Sequence, residues 1–237
     1  MLDASFFILC QLFFFTIHIL QTTYADLIKS FDFCSFIHAV ITTVLSHYIF
    51  IKHPSKIVNI FDISDIPESS FSYSIFKYLP LFSMAYGVYD LFSGIVQKRW
   101  DFIIHGVVML TIIFASYVQD KSHIAVLPLT TELSTIFLAF RSFNNMKVNM
   151  CFAFTFFLYR LILLPCISFY ILAKICLDSV FASTLSIGQG TLNSLNGMWG
   201  YKIYKIIRKL FDKQINSHPI LLLEYFTDPE NNVKKSI

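Results

Sequence analysis

Charge is what this sequence has least of. Only 14% of its 237 residues are Asp, Glu, Lys or Arg, against about 25% in a typical soluble domain. With 56% of the chain hydrophobic, a water-soluble packing would leave too much apolar surface exposed. Also missing are the spacings that mark common chemistries. No two of the five cysteines (Cys10, Cys34, Cys151, Cys166 and Cys176) form a CxxC pair, and all lie in or beside apolar runs. They read as buried thiols rather than redox or zinc ligands, so neither a metal nor a cofactor is expected. A glycine-rich phosphate loop, HExxH and GxSxG are all absent, which removes the readable nucleotide, zinc-protease and serine-hydrolase signatures. The net charge of +3 comes mainly from one tail, so no nucleic-acid partner is expected. No internal repeat is evident, and there is no room for a second domain.

What is present is a series of long apolar runs. A membrane-spanning helix needs about 20 largely apolar residues, and seven segments qualify: roughly 5–23, 33–51, 75–96, 101–119, 123–141, 149–173 and 179–204. The expected fold is all-α, a polytopic membrane protein with about seven transmembrane helices. The opening Met-Leu-Asp has no positive charge and the first run no A-x-A ending, so it reads as an uncleaved span rather than a signal peptide. The longest connection, residues 52–74, has the Asp, Ser and Pro mix of water-exposed chain. The chain divides into a first span and short loop (1–32), a transmembrane domain (33–210) and a tail (211–237).

Basic residues orient the spans. With the C-terminus in the cytosol and the N-terminus in the lumen, twelve of the 18 Lys and Arg residues are cytosolic and five luminal, with Arg160 inside the membrane. The chain ends Lys-Lys-Ser-Ile, placing Lys234 and Lys235 in the dilysine pattern that coat proteins read to return membrane proteins to the endoplasmic reticulum. That address works only from the cytosol, in agreement with the loop charges. The expected location is the endoplasmic reticulum membrane, with coat proteins as a partner of the tail.

An ionisable residue within a span costs about 2.5–3.5 kcal/mol to insert and is a functional candidate by default. At ~1.5 Å rise per residue, His38, Asp90 and His105 lie about 6–9 Å inside the cytosolic ends of their spans, and Glu132 and Arg160 about 13–16 Å in. Five polar groups from five spans thus share one band. The expected arrangement is a ring formed by spans two to seven around a polar-lined cavity. Glu132 stands about half a turn from the face of Arg141, so its partner must come from another span, with Arg160 the first candidate. Tyr86, Asn196 and Trp199 are further candidates for lining the cavity. His18 and His47 are weaker ones.

The same residues carry a family pattern. "ELSTIFLAFR" (132–141), "CSFIHAVITT" (34–43), "AYGVYDLF" (85–92), "WDFIIHGVVML" (100–110), "FFLYRLILLP" (156–165) and "LNSLNGMWGYKIYK" (192–205) resemble, in order, six blocks of the TLC-domain family. That family groups ceramide synthases, the translocation-associated TRAM protein, the ceroid-lipofuscinosis protein of the endoplasmic reticulum and several small TLC-domain proteins. The chain departs from the pattern at three places. The family's His-His pair is His105-Gly106, and a proline and an asparagine of the first-quoted block are Ile136 and Ala139. In ceramide synthases the paired histidines belong to the acyl-transfer site, so glycine removes a base or nucleophile.

The resemblance is closest to the small members, which are linked to phospholipid composition, membrane fluidity and lipid homeostasis. It implies a non-enzymatic or weakly catalytic role in which membrane lipids or acyl chains bind in the cavity through Glu132, Arg160, Tyr86, Asn196 and Trp199. An acyl-CoA-dependent acyltransferase is the alternative, with His105, His38 and Asp90 catalytic and acyl-CoA a substrate. A trafficking protein for lipid or cargo is a third. The lipid, the acceptor and the oligomeric state are not legible in the sequence.

Overall fold

A computed structural model of the chain describes residues 2–23, 32–140, 146–175 and 180–217. Arg141, Cys176, Lys234 and Lys235 lie outside the described residues. Helices make up nearly all of the rest, and no strand occurs among the described residues. The order is α1 (Leu2–Thr23), α2 (Phe33–Lys52), a short α3 (Ser55–Val58), α4 (Phe71–Val96) and α5 (Trp100–Val118). A broken span then runs from Ser122 to Ala139 and contains α6 (Val126–Leu129) and α7 (Leu133–Ala139). After it come α8 (Met146–Phe156), α9 (Leu164–Lys174) and α10 (Val180–Ser217).

Six stretches are long and apolar enough to cross a membrane: Asp3–Thr23, Phe33–Lys52, Phe71–Val96, Trp100–Val118, Ser122–Ala139 and Lys147–Lys174. The seventh expected span lies within α10. Its 38 residues reach about 57 Å, well beyond the ~30 Å hydrocarbon core. Its amides and hydroxyls keep it outside the apolar set. The chain is an all-α, multi-pass membrane protein.

The elements start where the sequence supplies caps. Asp32 precedes α2 and accepts from the Ser35 amide at 3.1 Å, and Ser70 precedes α4 and accepts from the Tyr73 amide at 3.1 Å. Each satisfies an amide that the first helical turn leaves without a partner. The α4–α5 turn closes through Lys98 at φ 54°, which allows two antiparallel neighbours to be joined by three residues.

Neighbouring packing traces a closed ring. α2 packs on α4, α4 on α5, α5 on α10, α10 on α8 and α9, α8 on α7, and α7 back on α2. Helix α1 stands outside and docks on α4. It is the least buried span, 11% of its apolar window against 67% for α4, so most of its surface faces lipid. Its anchor is Phe14, fully buried, whose ring sits 5.1 Å from Phe82 and 5.6 Å from Tyr86.

Small residues set the tightest contact of the ring. A Cβ at Gly106 on α5 would lie 2.8 Å from the Leu91 amide nitrogen and 2.9 Å from the Gly87 carbonyl on α4. One at Gly94 would lie 2.9 Å from the Ile103 amide nitrogen. Backbone therefore meets backbone along α4 and α5, the close approach that small residues permit in membranes.

Two spans expected as plain helices are not regular. The span around Glu132 changes pitch, with 3-10 turns at Ser122–Ala125 and Thr130–Glu132 on either side of α6. Between α8 and α9 a π-helical stretch, Phe157–Leu163, carries Arg160. Prolines supply the physical reason. Pro128 and Pro165 have no N–H to return to the carbonyls of Ile124 and Leu161, and their rings crowd those carbonyls.

Candidate functional site

Both irregular spans end on the same ion pair. Arg160 Nη2 donates to Glu132 Oε1 at 2.8 Å and to Thr135 Oγ1 at 2.9 Å. Its Nε donates to Ser134 Oγ at 3.2 Å. Thr135 Oγ1 in turn donates to the second Glu132 oxygen at 2.8 Å. Carboxylate and guanidinium are both over 90% buried, and such charges persist only when paired and hydrogen-bonded. The E-L-S-T order makes this possible, because positions 132 and 135 share a helical face.

A second, partly buried pair lies across the ring. His105 Nδ1 is 2.8 Å from Asp90 Oδ2, and Tyr86 Oη stands 3.5 Å from the other Asp90 oxygen. This contact spans the α4–α5 seam and depends on its glycines. His105 and Gly106 are adjacent, so they point to different sides of α5, and position 106 faces the α4 backbone. The residue in place of the family's second histidine is thus a packing residue of this chain, and no imidazole fits there without parting the helices. With Nδ1 engaged by Asp90, His105 keeps Nε2 for a further partner.

Around these pairs lies a supporting network. His38, fully buried, stacks on Tyr86 with ring centres 4.0 Å apart and planes at 10°. Its Nε2 is 3.2 Å from Ser83 Oγ. Tyr86 Oη is 2.8 Å from Ser35 Oγ, which donates to Asp32 at 2.6 Å. Trp199 packs near His105 at 5.8 Å between ring centres and donates from Nε1 to Asp101 at 3.2 Å. Asn196 is buried on α10, its Oδ1 without a partner among the described residues.

Inside the ring is a narrow cavity of about 40 Å3, enough for a few water molecules. His105, Glu132 and Arg160 line one end. From there it follows α5 to Ser116, about 16 Å at 1.5 Å per residue. Its walls are Met109, Ile112, Ile113, Ile124, Leu129, Leu164, Ile171, Leu185 and Leu192, with Gln189, Thr131 and Ser116 as the further polar contributors. The ionisable lining is therefore confined to one end, and the remaining walls are mainly apolar, with Gln189 and Ser116 as neutral polar exceptions.

Of the residues singled out from the sequence, Glu132, Arg160 and His105 converge on this cavity. Asp90 reaches it only through His105. His38, Tyr86, Asn196 and Trp199 lie outside its lining, in the packing and hydrogen bonds just described. His18 faces Tyr89 at 3.5 Å, and His47 Nδ1 meets its own helix at the Thr43 carbonyl.

Sequence reasoning passed over Ser134, Thr135, Asp101 and the buried Gln189, whose Oε1 accepts from Ser168 at 2.8 Å. Ser134 and Thr135 were findable from their three- and four-residue spacing around Thr131 and Glu132. Asp101 and Gln189 carry no such local signal. Among the described residues, no group of three His, Cys, Asp or Glu side chains could hold a metal ion.

At the opposite end of the bundle the loop after α2 is tied down by Lys56. Its buried ammonium donates to the Asp62 carbonyl and pairs with Asp65. Hydrogen bonds from Ser64 hold the Asp62 carboxyl below its ordinary range, and Lys56 does the same for Asp65.

Compared with known proteins, the chain matches the family model of the TLC domain over residues 29–205. No curated protein and no solved structure matches it.

Proposed function

The chain belongs to the TLC-domain family, membrane proteins linked to lipid metabolism or sensing, and from that premise we propose that it binds a lipid acyl chain within its helix ring and thereby tunes phospholipid composition or fluidity. The observation that carries this reading is that the charged groups of the cavity sit at one end. Arg160 and Glu132 meet at one end, and a mainly apolar path of about 16 Å follows. A single chain suits that shape, its carbonyl or carboxylate towards the guanidinium and its methylenes along the isoleucines and leucines. The cavity is narrow, so occupancy requires the irregular spans beside Arg160 and Glu132 to move outwards. Pitch changes at functional sites are suited to such movement. The site of action on this reading is the endoplasmic reticulum membrane. The N-terminus is luminal and the C-terminus cytosolic, with Lys234 and Lys235 as the retrieval signal.

Purification in mild detergent followed by lipid analysis tests this. Wild-type protein should retain acyl lipid, and Leu185→Trp, which fills the cavity without touching the ion pair, should lose most of it. Equal retention by a folded Leu185→Trp protein rejects the cavity as the binding site.

The Asp90–His105 contact favours a second reading, an acyl-CoA-dependent acyltransferase. Asp90 would hold the Nδ1 proton and so leave Nε2 as the base for an amine or alcohol acceptor. Tyr86 and His38 would support that orientation from behind. Labelled acyl-CoA with a panel of acceptors should give turnover that His105→Gln abolishes. Absence of both turnover and acyl-enzyme in the wild type removes this reading.

A further inference from the structure

The two ends of the bundle differ in charge. At the end where α2 finishes and α4 begins, five lysines among the described residues are matched by five carboxylates, and Lys56–Asp65 and Lys77–Asp3 are in direct contact. The other end, where α4 turns into α5 and α10 leaves the ring, is basic. Helix α10 is about 57 Å long, and some 20 residues suffice for the hydrocarbon core, so the helix emerges near Tyr201. Lys202, Lys205 and Lys209 follow at three- and four-residue spacing on one exposed face. The opposite face stays anchored, since Ile203 and Ile207 pack on Phe152 and Phe156. The lysines are thereby held at a set height rather than on a free tail.

Their setting is interfacial. Tyr201 and Tyr204 are 60% and 51% exposed beside them, and Trp100 is 74% exposed at the α4–α5 turn. Such amphipathic rings are enriched at the headgroup level. Lys205 lies over the Tyr201 ring at 4.4 Å and Arg99 over Phe102 at 3.6 Å. Trp199 bonds Asp101 across the α10–α5 contact, so the α10 face and the Arg99 turn stand at one level of the bundle.

We propose that this rigid basic face, Lys202, Lys205 and Lys209 with the aromatic ring about it, binds the headgroups of anionic phospholipids in the leaflet it borders. Charge complementarity selects the occupant. Basic clusters just outside a span attract anionic lipid. The site is separate from the cavity and needs neither Arg160 nor His105.

Full-length protein in micelles containing equal phosphatidylserine and phosphatidylcholine, examined by native mass spectrometry, tests the proposal. Wild type should retain phosphatidylserine at least about tenfold in preference, and 0.5 M salt should weaken that preference. Lys202→Ser/Lys205→Ser/Lys209→Ser should bring retention close to parity, and the matching Lys→Arg protein should keep the preference. Leu185→Trp should leave it unchanged, which separates this site from acyl-chain binding in the cavity. Equal retention of the two lipids by wild type, or an undiminished preference in the triple serine protein, overturns the proposal.

Discussion

Asp90–His105 and Glu132–Arg160 each bring a buried carboxylate to 2.8 Å from a nitrogen, yet their surroundings differ in kind. The first bridges two regular helices pressed together by Gly94 and Gly106. Its geometry follows from backbone contact, and a side chain cannot shift without parting α4 from α5. The second bridges a span of alternating pitch and a π-helical stretch. Its geometry is held by Ser134 and Thr135 rather than by backbone contact. One pair is a fixed post of the ring and the other a clasp between its two most irregular walls. A cavity bounded by both has one wall that stays and one suited to move.

The largest predicted effect comes from opening the clasp on one side. Arg160→Ala leaves Glu132 buried without its cation and should cost about 3–5 kcal/mol, measured as loss of folded protein on heating in detergent. Arg160→Met combined with Glu132→Leu should recover most of that loss. If the double variant were as unstable as Arg160→Ala, the pair would be more than a clasp.

Next in size is pressure on the post. Gly106→Ala introduces a Cβ against α4 backbone and should destabilise by about 1–3 kcal/mol. It should also weaken the coupling of Asp90 to His105 in a double-mutant cycle. Restoring the family's histidine at position 106 should be worse than alanine and confer no acyl transfer. A stable, active Gly106→His protein would show that the seam is softer than its contacts indicate.

Thr135→Val removes one hydroxyl bridging Arg160 and Glu132 and should cost about 1–2 kcal/mol. The loss should appear in the Glu132–Arg160 coupling energy while that of Asp90–His105 stays constant.

The smallest effect belongs to the exposed loop beyond the ring. Asp62 and Asp65 are held below the ordinary carboxylate range by Ser64 and Lys56. Their stabilisation is therefore complete above the ordinary Asp value and is lost as pH falls through their lower folded values. Limited proteolysis should cut within residues 53–70 faster near pH 3 than near pH 6. Lys56→Met should abolish most of that difference.

The positions of the spans were legible because a ~30 Å hydrocarbon layer imposes a length and a composition that any segment must meet on its own. Glu132 and Arg160 stood out for the same reason: an ionisable group at mid-span must find a partner, and few were on offer. Pitch was another matter. Pro128 and Pro165 are visible in the sequence, but a proline does not announce whether its helix will kink, tighten or widen. Tyr86, Asn196 and Trp199 looked equally fit to line a cavity. Which face of a helix turns inward is decided by its neighbours, and theirs turn to Asp90, the α10 packing and Asp101.

By itself, then, the sequence determined the medium, the all-α class and the need for a buried countercharge, since each is a cost borne by a single segment whatever surrounds it. Tertiary structure alone decided that Gly106 is a contact between backbones and that the cavity is charged at only one end. It also decided that the lysines of α10 stand on a fixed face. Each of these depends on the distance between segments far apart in the chain, which close packing of the whole ring sets.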